Sequence, residues 1–258
     1  MRKLIRWVAA PALILSAIVI CQAQSDDRPQ NEIEIRGTYS IPSGDANFST
    51  AGSSGTTIDF ERDFDFKNEL GFGVRYLRRS KNGKHKLGGD FAQTSWSRTR
   101  ALTRSFTFLG ETYVANLDTS ADLKLTTFRG FYAYRWGNEK FRMGPRVDIG
   151  VVNTSLELTG TTNSGTRTKE GSINTFAATV GYDLDYDPTS MVNIFHNLGA
   201  IAFQGDHFFH TEGGIKVFVS RNFGVMGGYK AERYKVVDGD NFITIRRHGP
   251  FFGGVFRF

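Results

Sequence analysis

The strongest constraint on the fold of this chain is an alternation of side-chain character at period two, which runs through almost everything after residue 24. In EIEIRGTYSI, Ile33, Ile35, Gly37, Tyr39 and Ile41 share one parity, and Glu32, Glu34, Arg36, Thr38 and Ser40 the other. In FRMGPRVDIGV, Phe141, Met143, Val147, Ile149 and Val151 oppose Arg142, Gly144, Arg146, Asp148 and Gly150. FAATVGYDLDY and IKVFVS repeat the pattern, with Asp183, Asp185 and Lys216 on the polar parity. Successive residues of a strand point to opposite faces, so this period means extended chain; no long helical pattern appears after residue 24.

Ten alternating runs can be bounded: 31–41, 68–79, 84–99, 119–136, 140–159, 171–186, 191–203, 208–220, 223–237 and 241–258. KNGK (81–84), GNEK (137–140), DPTS (187–190) and RNF (221–223) are tight turn signals. Between them fall longer Gly/Ser/Thr-rich connections, notably 42–57 and 160–170. SFTFLGETYV reads as a small hairpin about Gly110–Glu111, and TTIDFERDFDF (56–66) as a further strand or a loop hairpin. Parity breaks at Leu123–Thr127 and at Asn153–Glu157, where bulges are expected. Short turns alternating with longer loops predict an all-β, antiparallel, up-and-down barrel of ten strands; eight and twelve are the other counts the pattern allows.

A strand that is apolar on one side and polar on the other can face hydrocarbon if the sheet closes, because hydrocarbon offers no partner to an open edge. Most of the runs exceed the about 9–11 residues a tilted strand needs to cross a bilayer. The apolar parity is therefore assigned to the outside. Tyr76, Tyr134, Trp136, Tyr182, Tyr186 and Phe223, near strand ends, suit interfacial girdles. Glu32, Glu34, Arg36, Arg75, Arg79, Asp90, Arg129, Arg135, Arg142, Arg146, Asp148, Asp183, Asp185, Glu212, Lys216, Lys230, Glu232 and Arg257 then face the lumen. Both signs occur, so a structural ion-pair network filling a narrow tube is expected, with a small-solute or ion pore as the alternative. A soluble carrier would instead turn the apolar parity inward.

Residues 1–23 carry a basic head (Arg2, Lys3, Arg6), the apolar run WVAAPALILSAIVI, and Cys21 and Ala23 before QSDD. This is the pattern of a secretory signal peptide cut after Ala23, leaving 24–258 as the barrel; the alternative is a lipoprotein signal acylated at Cys21. Cleavage after Ala23 removes the single cysteine and lowers the formal charge of +6 by three. The remaining charges are scattered, so nucleic acid is not an expected partner.

The chain ends GPFFGGVFRF, with Phe252, Phe256 and Phe258 on one parity and a terminal phenylalanine. This resembles the C-terminal signature of Gram-negative outer-membrane proteins. The resemblance implies the cell outer membrane, membrane lipid and lipopolysaccharide as surroundings, and recognition by the barrel-assembly machinery. TTIDFERDFDF, SFTFLGETYVANLDTSADL and the strand ending YRW resemble the OmpA-like barrel class, here without a peptidoglycan-binding domain. A monomer with a structural or surface-interaction role, its loops meeting some surface ligand, is the expectation.

A hydrolase at the extracellular rim is the catalytic alternative. Omptin proteases resemble this chain in strand number and use Asp and His there; Asp206, His207 and His210, with Asp118, Asp238 and Asp240, are the residues that would form a rim hydrolase. IFHNLGA supplies His196, as in lipid-facing deacylases, but Leu198 stands where a serine is wanted. His207-x-x-His210 would point to opposite faces of a strand, and His85 and His248 have no evident partner. No catalytic, cofactor or metal site is expected.

Overall fold

The computed structural model describes residues 30–203 and 205–258. Ten long strands form its frame: β1 (Asn31–Asn47), β2 (Glu69–Arg79), β3 (His85–Ala101), β4 (Asp118–Tyr134), β5 (Phe141–Thr162), β6 (Gly165–Thr189), β7 (Val192–Phe203), β8 (Asp206–Phe218), β9 (Phe223–Asp238) and β10 (Asn241–Arg257). Each pairs antiparallel with its neighbours in sequence, and β1 pairs with β10 from Glu32↔Arg257 to Asn47↔Phe242. The ring therefore closes without an edge, and both described ends meet at one rim, where Asn31 and Phe258 exchange backbone hydrogen bonds. The ten-stranded antiparallel barrel read from the sequence is the observed fold.

Orientation is decided by a few side chains. Val147, Val217 and Phe256 are 46%, 43% and 47% exposed on the outer wall, whereas Arg146 and Lys216 are each 2% exposed inside. An inward-facing apolar parity, as a soluble carrier needs, is excluded by this arrangement. Phe252, Phe256 and Phe258 are exposed outside, and Phe256 stacks on Phe258 with centroids 5.7 Å apart. Inward Phe251 instead lies over Gly214 and Gly228; a Cβ at Gly228 would approach its ring to 2.6 Å, so glycine there makes room for the aromatic.

The parity breaks are not bulges. Register between β4 and β5 runs uninterrupted from Thr119↔Gly160 to Ala133↔Arg146, and between β5 and β6 from Thr162↔Gly165 to Phe141↔Tyr186. The environment changes instead. Outward Phe91, Phe128, Val151 and Phe176 are cross-strand partners in an apolar row. The next outward row toward the far rim is Gln93, Thr126, Asn153 and Asn174. Inside, the reverse happens: Arg129 and Asp148 give way to Leu123, Leu125, Leu156 and Leu158. The barrel has two storeys. One is greasy outside and ionic inside; the other is polar outside and apolar inside, as in a water-soluble sheet.

The connections also differ from expectation. Strand β1 continues to Asn47, and β5 and β6 continue through the supposed loop 160–170 to a turn at 163–164. β7 to β8 and β9 to β10 are joined just as tightly, so long connections occupy only 48–68 and 102–117.

Candidate functional site

The lower storey holds one continuous ionic network. Glu32 accepts from Arg79 at 3.0 Å, Arg257 at 2.9 Å and Lys216; Lys216 also donates to Glu34. Glu212 takes Arg36 at 2.7 Å and Arg75 at 2.9 Å. Asp90 bridges Arg75 at 3.4 Å and Arg129 at 3.2 Å. Glu232 gathers Arg247, Lys230 at 2.9 Å and Arg129 at 3.4 Å, and accepts from the Tyr234 hydroxyl at 2.8 Å. On the other side, Arg146 joins Asp148 to Asp183, and Lys86 joins Asp183 to Asp185 at 3.0 and 3.2 Å. Arg135 pairs with the same two aspartates.

Each of these acids meets two or more cations except Asp148, whose second neighbour is His210 at 3.8 Å. Strand alternation puts them there: Asp90 and Arg129 are register partners, as are Arg75 and Asp90, and Glu212 and Lys230. Buried charges of both signs, interleaved within hydrogen-bond range, compensate the desolvation that an isolated ion could not bear.

The sequence located most members of this network. Arg142 lines a cavity at the rim holding the termini. Lys86 and Arg247 were missed, although they share parity with Asp90 and Arg257 and could have been read from it. Cavities of about 590 and 380 Å³ open at this rim, between Arg79, Lys140, Arg257, Lys84 and Arg135. Of the network, their lining includes Arg79, Arg135 and Arg257.

The opposite end is closed by the two long connections. In residues 48–68, Ile58–Asp59 adds to β1 and Phe60–Phe64 forms a single π-helical turn. Asp59 caps that turn, accepting from the Glu61 and Arg62 amides at 3.1 and 2.8 Å, and Asp65 ends it in the left-handed region. TTIDFERDFDF is thus mainly a capped turn rather than a strand or a hairpin. In residues 102–117, Phe106–Phe108 and Glu111–Tyr113 form the small hairpin, turning at Leu109 and Gly110 with φ 49° and 81°.

Phe48, Phe60, Phe64, Phe66, Phe106 and Phe108 from these connections are all buried. They descend into the upper storey against Trp96, Leu123, Leu156, Leu158 and Ile243. Asp63 locks the two connections together. It accepts from Arg104 at 3.1 and 2.8 Å, from Arg62 and from the Asp59 amide at 2.9 Å. Burial pushes its carboxyl up, but the Arg104 and Arg62 hydrogen bonds outweigh that and hold it at about 2. Tyr113, buried in the hairpin near Glu111, is pushed up to about 12 and donates to the Leu158 carbonyl at 3.1 Å.

The residues considered for rim hydrolysis are dispersed. Asp206 accepts from the Val237 amide at 2.9 Å, His207 projects outward, and His210 is buried inside beside Asp148. Asp118, Asp238 and Asp240 are exposed at the rim. His196 faces outward, stacked on Tyr182 and 3.0 Å from the Thr211 hydroxyl on the next strand. Among the described residues no group of acids, histidines or cysteines has metal-site geometry. The expected signal peptide, with Cys21, lies outside the described residues.

No protein-family model and no curated protein matches the sequence. Among solved structures, the chain is similar to the outer membrane protease OmpT from Escherichia coli, with a TM-score of 0.64 at 9% identity, covering 92% of this chain and 99% of that one. It is also similar to the translocator domain of autotransporter NalP from Neisseria meningitidis, at TM-score 0.46 and 10% identity over 96% and 94% of the chains. Ail, the attachment invasion locus protein of Yersinia pestis, gives 0.37 and 14% over 89% and 99%. The first likeness establishes architecture and says nothing of activity; the other two are too distant to carry an argument. A closed ten-stranded ring, an apolar belt on its outer wall and the OmpT-like architecture together give this chain the fold of an outer-membrane β-barrel.

Proposed function

We propose that this is an integral outer-membrane protein of the OmpA-like kind, exported by a signal peptide at 1–23, which acts through its outer surface and not through a passage or a catalytic centre. One observation carries the reading: the lumen is filled along its height, by ion pairs in the lower storey and by loop aromatics in the upper. What the molecule offers beyond the membrane is the two-loop cap and the polar outer face of β3 to β6. That face bears hydroxyl pairs such as Thr99–Ser120 and Thr159–Thr168. On this reading the ionic network is structural, the terminal phenylalanines serve assembly, and the protein is a monomer.

Planar-bilayer recording of the purified protein tests the closed lumen. Unitary conductance steps should be absent across the voltage range that opens porins; regular steps that vanish on heat denaturation would overturn the reading in favour of a pore. A peptide or ester substrate cleaved by wild type but not by Asp206→Asn or His207→Ala would overturn the non-catalytic part.

A further inference from the structure

One sector of the outer wall departs from the rest just beyond the apolar belt. On β9, Tyr229 and Ala231 are followed by Arg233 and Lys235. On β10, followed toward the same rim, Phe252 and Pro250 give way to His248 and Arg246; on β8, Phe209 gives way to His207. Register sets Arg233 directly opposite Arg246, and Lys235 opposite His207. Both arginines are exposed, and neither side chain makes a hydrogen bond or ion pair with a described residue. Like charges directly opposed on a sheet repel and destabilise the pair. The closest acid in register is Asp45 of β1, opposite Thr244, and it is bonded to neither arginine.

The equivalent zone of β3 to β6 is quite different. Its first polar row is Gln93, Thr126, Asn153 and Asn174, the next is Ser95, Lys124, Ser155 and Ser172, with a single cation, and beyond that come Asp122, Glu157 and Glu170 as cross-strand neighbours. The cationic sector is therefore a local feature of three strands and not a general property of the rim.

The geometry points to a binding site for the phosphate of an acylated, phosphorylated glycolipid in the outer leaflet, held by Arg233 and Arg246 with Lys235 beside them. A phosphate dianion neutralises two opposed guanidinium groups at once, and the planar fork of arginine matches it bidentately. The lipid, and not a free ion, is selected by what lies beneath. Phe209 is the register partner of Arg233, and Tyr229 precedes it on the same face, so acyl chains would run down an aromatic surface from the site. His248 is already engaged, with Nδ1 2.5 Å from the Tyr229 hydroxyl, and helps fix that ring. This inference rests on the outer-membrane reading above, which makes the rim away from the termini the outer one.

The test uses the full mature chain in detergent, titrated with bis-phosphorylated lipid A and with the same glycolipid stripped of phosphate, bound lipid being counted by native mass spectrometry. Wild type should bind the phosphorylated form about tenfold more tightly than the stripped form, and Arg233→Gln/Arg246→Gln should lose most of that difference. Asn153→Gln/Asn174→Gln, on the opposite wall, should keep it. Equal binding of the two lipids by wild type, or an unchanged preference in the arginine variant, overturns the proposal. Sodium pyrophosphate that binds wild type as tightly as the lipid and displaces it would overturn the choice of a lipid. If the arginine variant fails to fold, the comparison of the two lipids on wild type still decides. Failure of the underlying reading shows separately, as a protein that stays monomeric in water without detergent and lacks a heat-dependent gel shift.

Discussion

Three outward-facing histidines illustrate what a polar side chain requires on the outer wall of a barrel. His85 meets the Tyr132 hydroxyl at 2.7 Å, His196 meets Thr211 at 3.0 Å, and His248 meets Tyr229 at 2.5 Å. In each case the hydroxyl lies two residues before the histidine's register partner, which is Tyr134, Gly213 or Ala231. The same diagonal satisfies an imidazole three times, and Gly213 clears the ring of His196, since a Cβ there would stand 2.9 Å from it. Thr211→Val should destabilise the barrel by about 1–3 kcal/mol, because it strands a ring nitrogen away from water. The double change with His196→Phe should recover most of that loss; urea unfolding in lipid vesicles measures both. Inside, Glu212→Ala leaves Arg36 and Arg75 without their closest acid. The same assay should register a loss of about 3–5 kcal/mol, the usual result of removing one partner from a buried charge set.

At the level of elements, the cap shows how loops acquire a fixed shape. The hairpin in SFTFLGETYV was readable because Gly110–Glu111 is a local turn signal between alternating residues, although the turn itself falls one residue earlier, at Leu109 and Gly110. The turn at Phe60–Phe64 was not, because Phe60, Phe64 and the following Phe66, all buried, have no spacing that identifies a strand or a helix. Their burial depends on Phe106, Leu123 and Ile243, which come from far along the chain. Asp63 should make the cap sensitive to acid. Its carboxyl stands at about 2 when folded, below the ordinary carboxylate value of 3.8, so the stability it contributes is complete above the ordinary value and is lost as pH falls toward 2. Asp63→Asn should therefore weaken the cap by roughly 1–2 kcal/mol at pH 7 and by much less at pH 2, where about half of the carboxyl is protonated. Hydrogen exchange of residues 58–66 in the two proteins reports this directly.

For the whole molecule, the row from Phe91 to Phe176 and the row from Gln93 to Asn174 mark a boundary between two solvents. Single cysteines placed in the chain, whose one native cysteine is Cys21, test its position. Ser155→Cys and Ser172→Cys should react with a membrane-impermeant maleimide applied to intact cells, whereas Val147→Cys and Val180→Cys should not. Labelling of all four, or of the second pair alone, would mean that the belt is wrongly placed, and labelling of neither pair that the barrel points the other way.

Period-two alternation by itself determined the strands, their antiparallel order and the parity that meets lipid. Those features follow from the geometry of extended chain and from the need of every backbone polar group for a partner in hydrocarbon. Only the tertiary structure decided where the membrane ends, because the switch at Leu123–Thr127 looks locally like a slip of register. A slip and a change of solvent produce the same string of letters. They differ only in whether Leu123 still pairs with Leu156, and it does. The same holds for Arg233 and Arg246, each an ordinary arginine in its own strand until the register of β9 and β10 sets one against the other.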